Sequence, residues 1–432
     1  MNSIWNCDVK KPNFESLKSD IKTDVLVIGG GITGILCAYM LKNSGIDCVI
    51  AEQNTICSGV TQNTTAKITY QHGAIYDKLI KRFGKETAHL YYKSQYDALC
   101  KYKNLYKEIE CDFKECSNYI YSLDDKIKIE NEVNALCSIG AKAFYHNKTE
   151  LPFEIAGAVE VKNQAQFNVL KFLYTIAKDL KIYENTKIIE LTDNGAKTNK
   201  FSIKADKIIV ATHFPFVNKY GAYFIKMYQQ RSYVIALKNA QNVQGMYLDE
   251  AQNGLSFRNY KDLLLLGGGG HRTGKKGGNW ETLRKFAKEH YVNATEVYHF
   301  ATQDCMSLDN IAYIGQYSKS HENIYVATGF NKWGMTTSMS AAMMLADLIC
   351  DKQNDYLKIF SPSRSIIHPK LFINAAETLR GLITPTAPRC PHLGCALKYN
   401  LQEHSWDCSC HGSRFSQDGQ LLNNPATDDI KI

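Results

Sequence analysis

Six cysteine and histidine side chains near the C-terminus fall into two short loops, Cys390-Pro-His-Leu-Gly-Cys395 and Cys408-Ser-Cys-His-Gly-Ser-Arg-Phe415. Fifteen residues separate His392 from Cys408, enough for the loops to close over one metal centre from opposite sides. Each loop offers one thiolate and one imidazole, Cys390 with His392 and Cys408 with His411. Each also carries a further cysteine, Cys395 and Cys410. A [2Fe–2S] cluster with two thiolates on one iron and two neutral imidazoles on the other holds less negative charge than an all-cysteine cluster. Its reduction potential is higher for that reason, about −150 to +300 mV against about −400 mV. A structural zinc site also draws on Cys and His. Zinc fingers, however, pair Cys with Cys and His with His, whereas each loop here mixes the two.

The loops resemble those of Rieske [2Fe–2S] domains, with C-x-H-x-G-C and C-x-C-H-G-S both intact. The resemblance implies a small all-β domain over 385–432, with Cys390, His392, Cys408 and His411 as cluster ligands. It implies a disulfide between Cys395 and Cys410 that clamps the loops together. Ser413 stands where such domains place a hydroxyl that donates to a cluster sulfide. Phe415 stands where high-potential members carry a tyrosine that donates to a cysteine sulfur. Losing that donor makes reduction harder, so a potential below that of respiratory-chain Rieske proteins is expected. Asn424-Pro425-Ala426 resembles the proline loop that covers the cluster, without the glycine that usually precedes the proline.

A second constellation lies at the front. Gly29-x-Gly31-x-x-Gly34 follows the apolar run Val25–Ile28 and opens a helical pattern over 32–43. The first glycine suits a tight turn, the second a close approach to a pyrophosphate, and the third the packing of helix on strand. The helix N-terminus then turns its unpaired N–H groups towards the phosphates. A second strand pattern, 47–51, ends at Glu52, about twenty residues on, where an acid can take a ribose hydroxyl.

Downstream segments make the front resemble the D-amino-acid-oxidase/glycine-oxidase family of FAD-dependent oxidoreductases. Gly59-Val-Thr-Gln-Asn-Thr-Thr-Ala-Lys67 corresponds to a small-residue loop beside pyrophosphate and flavin, with Thr61, Thr65, Ala66 and Lys67 in the matching positions. Lys187-Ile188-Ile189 corresponds to the strand that meets the adenine, and Ala205–His213 to a further strand of the FAD domain. Ile324-Tyr-Val-Ala-Thr-Gly-Phe-Asn-Lys-Trp-Gly-Met-Thr336 corresponds to the last FAD segment, bringing Gly329, Gly334, Met335 and Thr336 to the cofactor. Its helix would aim a positive end at the flavin pyrimidine. Thr-Thr-Ala-Lys with Gln71-His72-Gly73, joined to the tail, resembles a bacterial group of Rieske-fused FAD oxidoreductases.

The elements that must position these residues give an α/β fold. A Rossmann-like FAD-binding domain (about 20–72, 150–215 and 300–352) interleaves with an α+β substrate domain (about 73–149 and 216–299). A linker over 365–384, with a short helix near 370–382, then leads to the all-β Rieske domain. A long amphipathic helix is expected over 75–110, a helix over 166–182, strands at 187–191 and 207–211, mostly strands over 222–266, and helices over 280–291 and 336–350.

Candidates for substrate chemistry come from the interleaved segment. Arg231, between Tyr228 and Tyr233, could clamp a carboxylate with both guanidinium nitrogens; an ion pair of purely structural use is the plain alternative. His271 and Arg272 follow Gly267–Gly270 and approach the flavin if that loop caps the site. His72 and Trp333 are further candidates, against core roles for each. Gly268-x-Gly270-x-x-x-Gly274 is weighed as a second nucleotide site for NAD(P)H, but Lys275-Lys-Gly-Gly278 opposes the helix that a phosphate would need.

Composition narrows the classes. With 44% hydrophobic and 22% charged residues, the 432-residue chain can build two or three cores. No apolar stretch is long enough to span a membrane, and residues 1–24 lack the apolar core of a secretory signal, so a cytoplasmic protein is expected. The net charge of +8 is spread without any basic run, which reads as a solvated surface rather than a nucleic-acid face. Cys7, Cys37, Cys48, Cys57, Cys100, Cys111, Cys116, Cys137, Cys305 and Cys350 are expected as reduced thiols. The expected activity is removal of a hydride from a small amine or amino acid onto FAD. Electrons then leave singly through the cluster to a protein or quinone-like acceptor. An NAD(P)H-driven reductase serving a partner and a non-catalytic redox sensor are the alternatives.

Overall fold

The computed structural model describes residues 4–6, 9–217, 220–251, 254–385 and 388–432; Cys7 lies outside them. Strand Ile21–Ile28 occupies the middle of an eight-stranded sheet, parallel to Ser202–Val210 on one side and to Cys48–Ala51 on the other. Val25–Ile28, Cys48–Ala51 and Ile208–Val210 are buried throughout. Strands covered on both faces read as unbroken apolar runs, which is how these appear in the sequence. Helices Ile32–Asn43 and Gly334–Ile349 come close enough for the Thr33 and Ser338 hydroxyls to meet at 2.9 Å.

A second, nine-stranded sheet runs in the order Thr295–Ser307, Met227–Lys238, Leu263–Arg272, Ser256–Tyr260, Met246–Asp249, Lys114–Ser122, Gly157–Gln166 and Lys67–Ile68, with Ala143–His146 beside Gly157–Gln166. Three pieces assigned above to the FAD-binding domain therefore sit in this sheet: Lys67–Ile68, Gly157–Gln166 and the end of Thr295–Ser307. Their partners lie far along the chain, so no local pattern marks which sheet they join. The helix expected over 75–110 is two helices, Tyr76–Phe83 and Lys85–Leu105, because Gly84 between them takes φ +84°. The strand expected at 187–191 is Glu190–Thr192.

Gly267–Gly270 do not form a phosphate loop. They continue strand Leu263–Arg272, paired with Met227–Lys238 and, through Gly267, with Ser256–Tyr260. A Cβ on Gly269 would stand 2.3 Å from the Asn279 carbonyl oxygen, so the glycine lets the next segment cross the strand closely.

Helix Pro369–Ile383 connects to a four-stranded antiparallel sheet, Leu397–Asn400, Ser405–Cys408, Arg414–Ser416 and Leu421–Asn423. This small domain is docked on the second sheet through a buried ion network. Glu403 pairs with Arg231, whose Nε donates at 3.0 Å, and with Arg414 at 2.9 Å; it also accepts from the Tyr233 hydroxyl at 2.8 Å. Arg414 pairs in turn with Asp407 at 2.9 Å. Arg272 donates to the carbonyls of Ser409 and Cys410 at 3.1 and 2.9 Å.

Although burial alone would raise it, the Glu403 pKa is held at about 2 by Arg231 and Arg414. A carboxyl depressed in the folded state stabilises it above the unfolded value of about 4.3, and that contribution is lost as pH falls through about 2. The docked state is therefore expected to hold down to about pH 4 and to weaken towards pH 2, followed by tryptophan fluorescence. Glu403→Ala leaves two buried guanidinium groups short of a partner and is expected to cost about 3–5 kcal/mol, seen as a lower melting temperature.

Candidate functional site

Between the two sheets lies a cavity of about 1280 Å³, larger than the roughly 300–1,000 Å³ usual for small-ligand pockets. One end is the glycine turn. Gly29 takes φ +108°, and a Cβ there would stand 2.6 Å from the Ala211 carbonyl oxygen; one on Gly34 would stand 1.9 Å from that of Gly29. Glu52 accepts from the Gly30 and Asn54 N–H groups at 2.7 and 2.8 Å, and burial raises its pKa. Thr61 accepts the Ile32 N–H at 3.1 Å at the start of the helix.

Gly29, Gly31, Glu52, Thr61, Thr65, Lys67, Ile188, Gly329, Gly334 and Met335 all line the cavity. Gly34, Ala66 and Thr336 do not. Gly34 serves the packing of helix on strand, the Ala66 carbonyl accepts from Arg258 at 3.0 Å, and the Thr336 hydroxyl donates to the Thr69 carbonyl at 2.9 Å. Lys67 donates to the Tyr247 carbonyl at 3.0 Å, and burial followed by the nearby Arg258 charge brings its pKa down to about 7.

The far wall is made by Met227–Lys238 and Thr295–Ser307, paired antiparallel with Ser232 opposite Thr302 and Gln230 opposite Asp304. All four of these residues line the cavity. The Ser232 and Thr302 hydroxyl oxygens are buried and have no partner among the described residues. Burial raises Asp304 to about 6, with Lys332 and Arg231 acting the other way; burial lowers Lys332, with Asp304 opposing. Trp333 stacks on His72 at 4.9 Å and 13°.

The three candidates for chemistry are all engaged. Arg231 is absent from the cavity wall and pairs with Glu403 on the other face of its strand. His271 also stays off the wall and meets the Tyr233 hydroxyl at 2.9 Å. His72 lines the cavity, but its Nδ1 meets the Tyr91 hydroxyl at 2.7 Å and its Nε2 the Thr336 hydroxyl at 2.9 Å. Burial holds its pKa down at about 3, so it is a neutral pillar under Trp333. Asp304, Lys332, Ser232 and Thr302 escaped the sequence reading. For Ser232, Thr302 and Asp304 the trace is two polar runs inside the wall strands, Gln229-Gln230-Arg231-Ser232 and Thr302-Gln303-Asp304, which signal two polar faces.

On the reverse of that wall sit the cysteine and histidine loops. Cys395 and Cys410 are joined by a disulfide. The sulfurs of Cys395, Cys408 and Cys410 lie within 4.8 Å of one another; since two of these are spent on each other, Cys408 is left to act with Cys390, to which it is hydrogen-bonded. The Ser413 hydroxyl hydrogen-bonds the Cys390 sulfur and accepts the Ala426 N–H at 3.0 Å. The rings of His392 and His411 stand 5.0 Å apart, with Phe224 edge-on to both. Burial lowers His392 to about 4 and, with His392 and Arg272 adding to it, His411 to about 3. Neutral imidazoles are the form that binds metal. The Nδ1 of His411 is buried without a partner among the described residues. Two adjacent thiols and two neutral imidazoles fit a Rieske-type cluster, and the glycine cradle fits a dinucleotide.

Comparison with known proteins agrees with both assignments. The family model for FAD dependent oxidoreductases of the DAO type matches residues 24–348, and the Rieske [2Fe-2S] domain model matches 363–432. The chain belongs to the DAO family of FAD-dependent oxidoreductases and ends in a Rieske domain, with FAD and a [2Fe–2S] cluster as its cofactors. It is 34% identical to the Rieske 2Fe-2S iron-sulfur protein YhfW of Bacillus subtilis (strain 168), over 99% of this chain and 97% of that one. Over 26% of its length it is 25% identical to gamma-glutamylputrescine oxidoreductase of Escherichia coli (strain K12), covering 27% of that enzyme. Its fold is shared with L-proline dehydrogenase from P. horikoshii (TM-score 0.67, 18% identity, 80% of this chain and 98% of that one). Glycine oxidase from Geobacillus kaustophilus is equally similar (TM-score 0.67, 17% identity, 80% and 99%). Among the described residues no helix is long and apolar enough to cross a membrane.

Phe415 is fully buried on strand Arg414–Ser416 and brings no hydroxyl to the cluster loops. One hydrogen bond to a charged group is worth about 1.5–3 kcal/mol, and a tenfold change in a one-electron equilibrium is about 59 mV. Ser413→Ala is therefore expected to lower the potential by about 60–120 mV, and Phe415→Tyr to raise it, each read by a spectroelectrochemical titration of the cluster.

Proposed function

We propose that the protein is a dehydrogenase for a small amine or amino acid, with its electrons leaving one at a time to an external protein or quinone-like acceptor. The observation that carries this reading is the wall between cavity and cluster domain, one sheet thick, with substrate-type groups on one face and cluster-domain contacts on the other. Bound FAD would supply the hydride acceptor, and the cluster a one-electron carrier. The chain's own residues supply recognition. Asp304 meets the ammonium of the substrate, and Lys332 an anionic group on it where there is one. Ser232 and Thr302 offer the unpartnered hydroxyls between wall and ligand, and Trp333 on His72 closes one side against water. Arg231, taken up by Glu403, leaves the carboxylate-clamp role to Lys332.

The NAD(P)H-reductase reading loses its main support, since the glycine run on which it rested continues a paired strand. Cys37, Cys48, Cys57, Cys111 and Cys305 are free and buried, which accords with the reducing cytoplasmic setting proposed for the protein.

Anaerobic stopped-flow absorbance on cluster-loaded protein tests the function. Amines or amino acids should bleach the flavin before the cluster signal changes, while NADH and NADPH should do neither. Bleaching by NAD(P)H alone would overturn the proposal. For the recognition site, kcat/KM for an ammonium-bearing substrate should rise with pH through about 6 as Asp304 ionises. Asp304→Asn is expected to lower kcat/KM by about tenfold or more and to remove that limb of the profile. An unchanged profile would take Asp304 out of the site.

A further inference from the structure

We infer that helix Pro369–Ile383 is an interfacial helix that seats the cluster domain on an anionic lipid surface. Its inner face is polar and small: Asn374 and Gly381 are buried, and Asn374 accepts from Arg272 at 2.8 Å. Its outer face is apolar and open to solvent. Phe372 is 74% exposed, Leu379 61% and Ile383 71%. Positions 372, 379 and 383, with Ala376 between, form one stripe at helical spacing. At about 1.5 Å per residue the helix is about 22 Å long. Ile367, 81% exposed, extends the stripe at one end. At the other end Leu382 and Leu393 extend it onto the cluster loop, where a Cβ on Gly394 would lie 4.0 Å from Leu382. This is the reverse of the usual surface helix, whose apolar stripe faces the core.

The helix is fastened to the cluster site. A Cβ on Gly381 would stand 2.5 Å from the Cys410 sulfur, so backbone meets disulfide with no side chain between. Arg389 donates to the carbonyls of Leu382 and Gly394 at 3.0 and 2.9 Å. Whatever holds the apolar stripe therefore holds the cluster loop beside it.

Charge selects the occupant. Arg380 lies exposed on the helix and Arg389 sits at its C-terminal end, while Lys275 neutralises Glu377, the one acid of the helix, at 2.6 Å and leaves Lys276 exposed next to it as a further cation. The acids nearby are already paired, Glu377 with Lys275 and Asp309 with Arg364. An apolar stripe rimmed by lysine and arginine is the pattern of a helix lying in the headgroup region of an anionic bilayer. Two-fold pairing with a second copy would set these basic rims against each other.

The docking does not rest on the proposed substrate or acceptor. The test is sedimentation of the full, cofactor-loaded chain with vesicles of phosphatidylcholine, alone and mixed with phosphatidylglycerol. Binding is expected to the mixed vesicles and to weaken as salt is raised. Arg380→Glu, and separately Phe372→Glu with Leu379→Glu, should each weaken it by at least about tenfold, with flavin and cluster absorbance unchanged. Binding indifferent to phosphatidylglycerol or to salt in the unaltered chain would overturn the inference, whatever the variants do. So would an unaltered chain of doubled mass by light scattering that Leu379→Glu returns to single mass, which gives the face to a second copy.

Discussion

Successive side chains of a β-strand point to opposite faces, and in this protein both faces of strand Met227–Lys238 are occupied by function. Gln230 and Ser232 open on the nucleotide cavity. Gln229, Arg231 and Tyr233 hold the cluster domain, Gln229 by donating to the carbonyls of His411 and Asn424 at 3.0 and 2.8 Å. Strand Thr295–Ser307 repeats the division, with Thr302 and Asp304 on the cavity side and Gln303 donating to the Gly412 carbonyl at 2.8 Å. A one-residue slip in either strand would exchange the two faces entirely. The pairing of these strands thus fixes at once what the cavity can bind and where the cluster domain can sit.

The dock is held by geometry more than by apolar area. Buried ion pairs return little net stability over apolar packing, but they punish any arrangement that leaves one partner alone. Glu403 serves Arg231, Arg414 and Tyr233 together, so the domain cannot turn without exposing several charges to unpaired burial. Close approach reinforces this: a Cβ on Gly412 would stand 2.5 Å from that of Gln229. The loops that would hold the cluster lie behind a wall one sheet thick, and packed layers lie about 10 Å apart, so the domain would need no swing to bring them near the cavity.

Much of this was legible in the sequence, for physical reasons that differ by region. The glycine turn and the Cys/His loops are local motifs, so the residues picked there lie together in space. The parallel strands are buried on both faces and announce themselves as apolar runs. For Arg231 and His271 the sequence left substrate contact and a structural role both open, because a polar residue in a strand says nothing of which face it takes. That depends on a domain about 170 residues further along the chain, where Glu403 waits. Asp304 and Lys332 were missed for a similar reason. The strand Thr295–Ser307 and the loop after Thr328 meet only through pairings that no local pattern records. The glycines at 267–270 misled in the opposite direction, since a glycine run reads as a loop unless its crossing neighbour is known.

The cluster domain is not simply appended to an otherwise complete enzyme. Its last segment lines the cavity, with Leu421, Asn424 and Thr427 in the wall. Lys187, next to the expected adenine contact Ile188, donates to the Thr427 carbonyl at 2.6 Å. Asn424 donates to the carbonyls of Thr212 and Phe214 at 3.3 and 2.7 Å, beyond the end of a central strand of the first sheet. The same asparagine offers its own carbonyl to Gln229 on the wall strand. One residue of the cluster domain therefore ties the nucleotide lobe to the wall strand. A ligand that tightened these bonds would tighten the seating of the cluster domain as well, because such coupling is reciprocal.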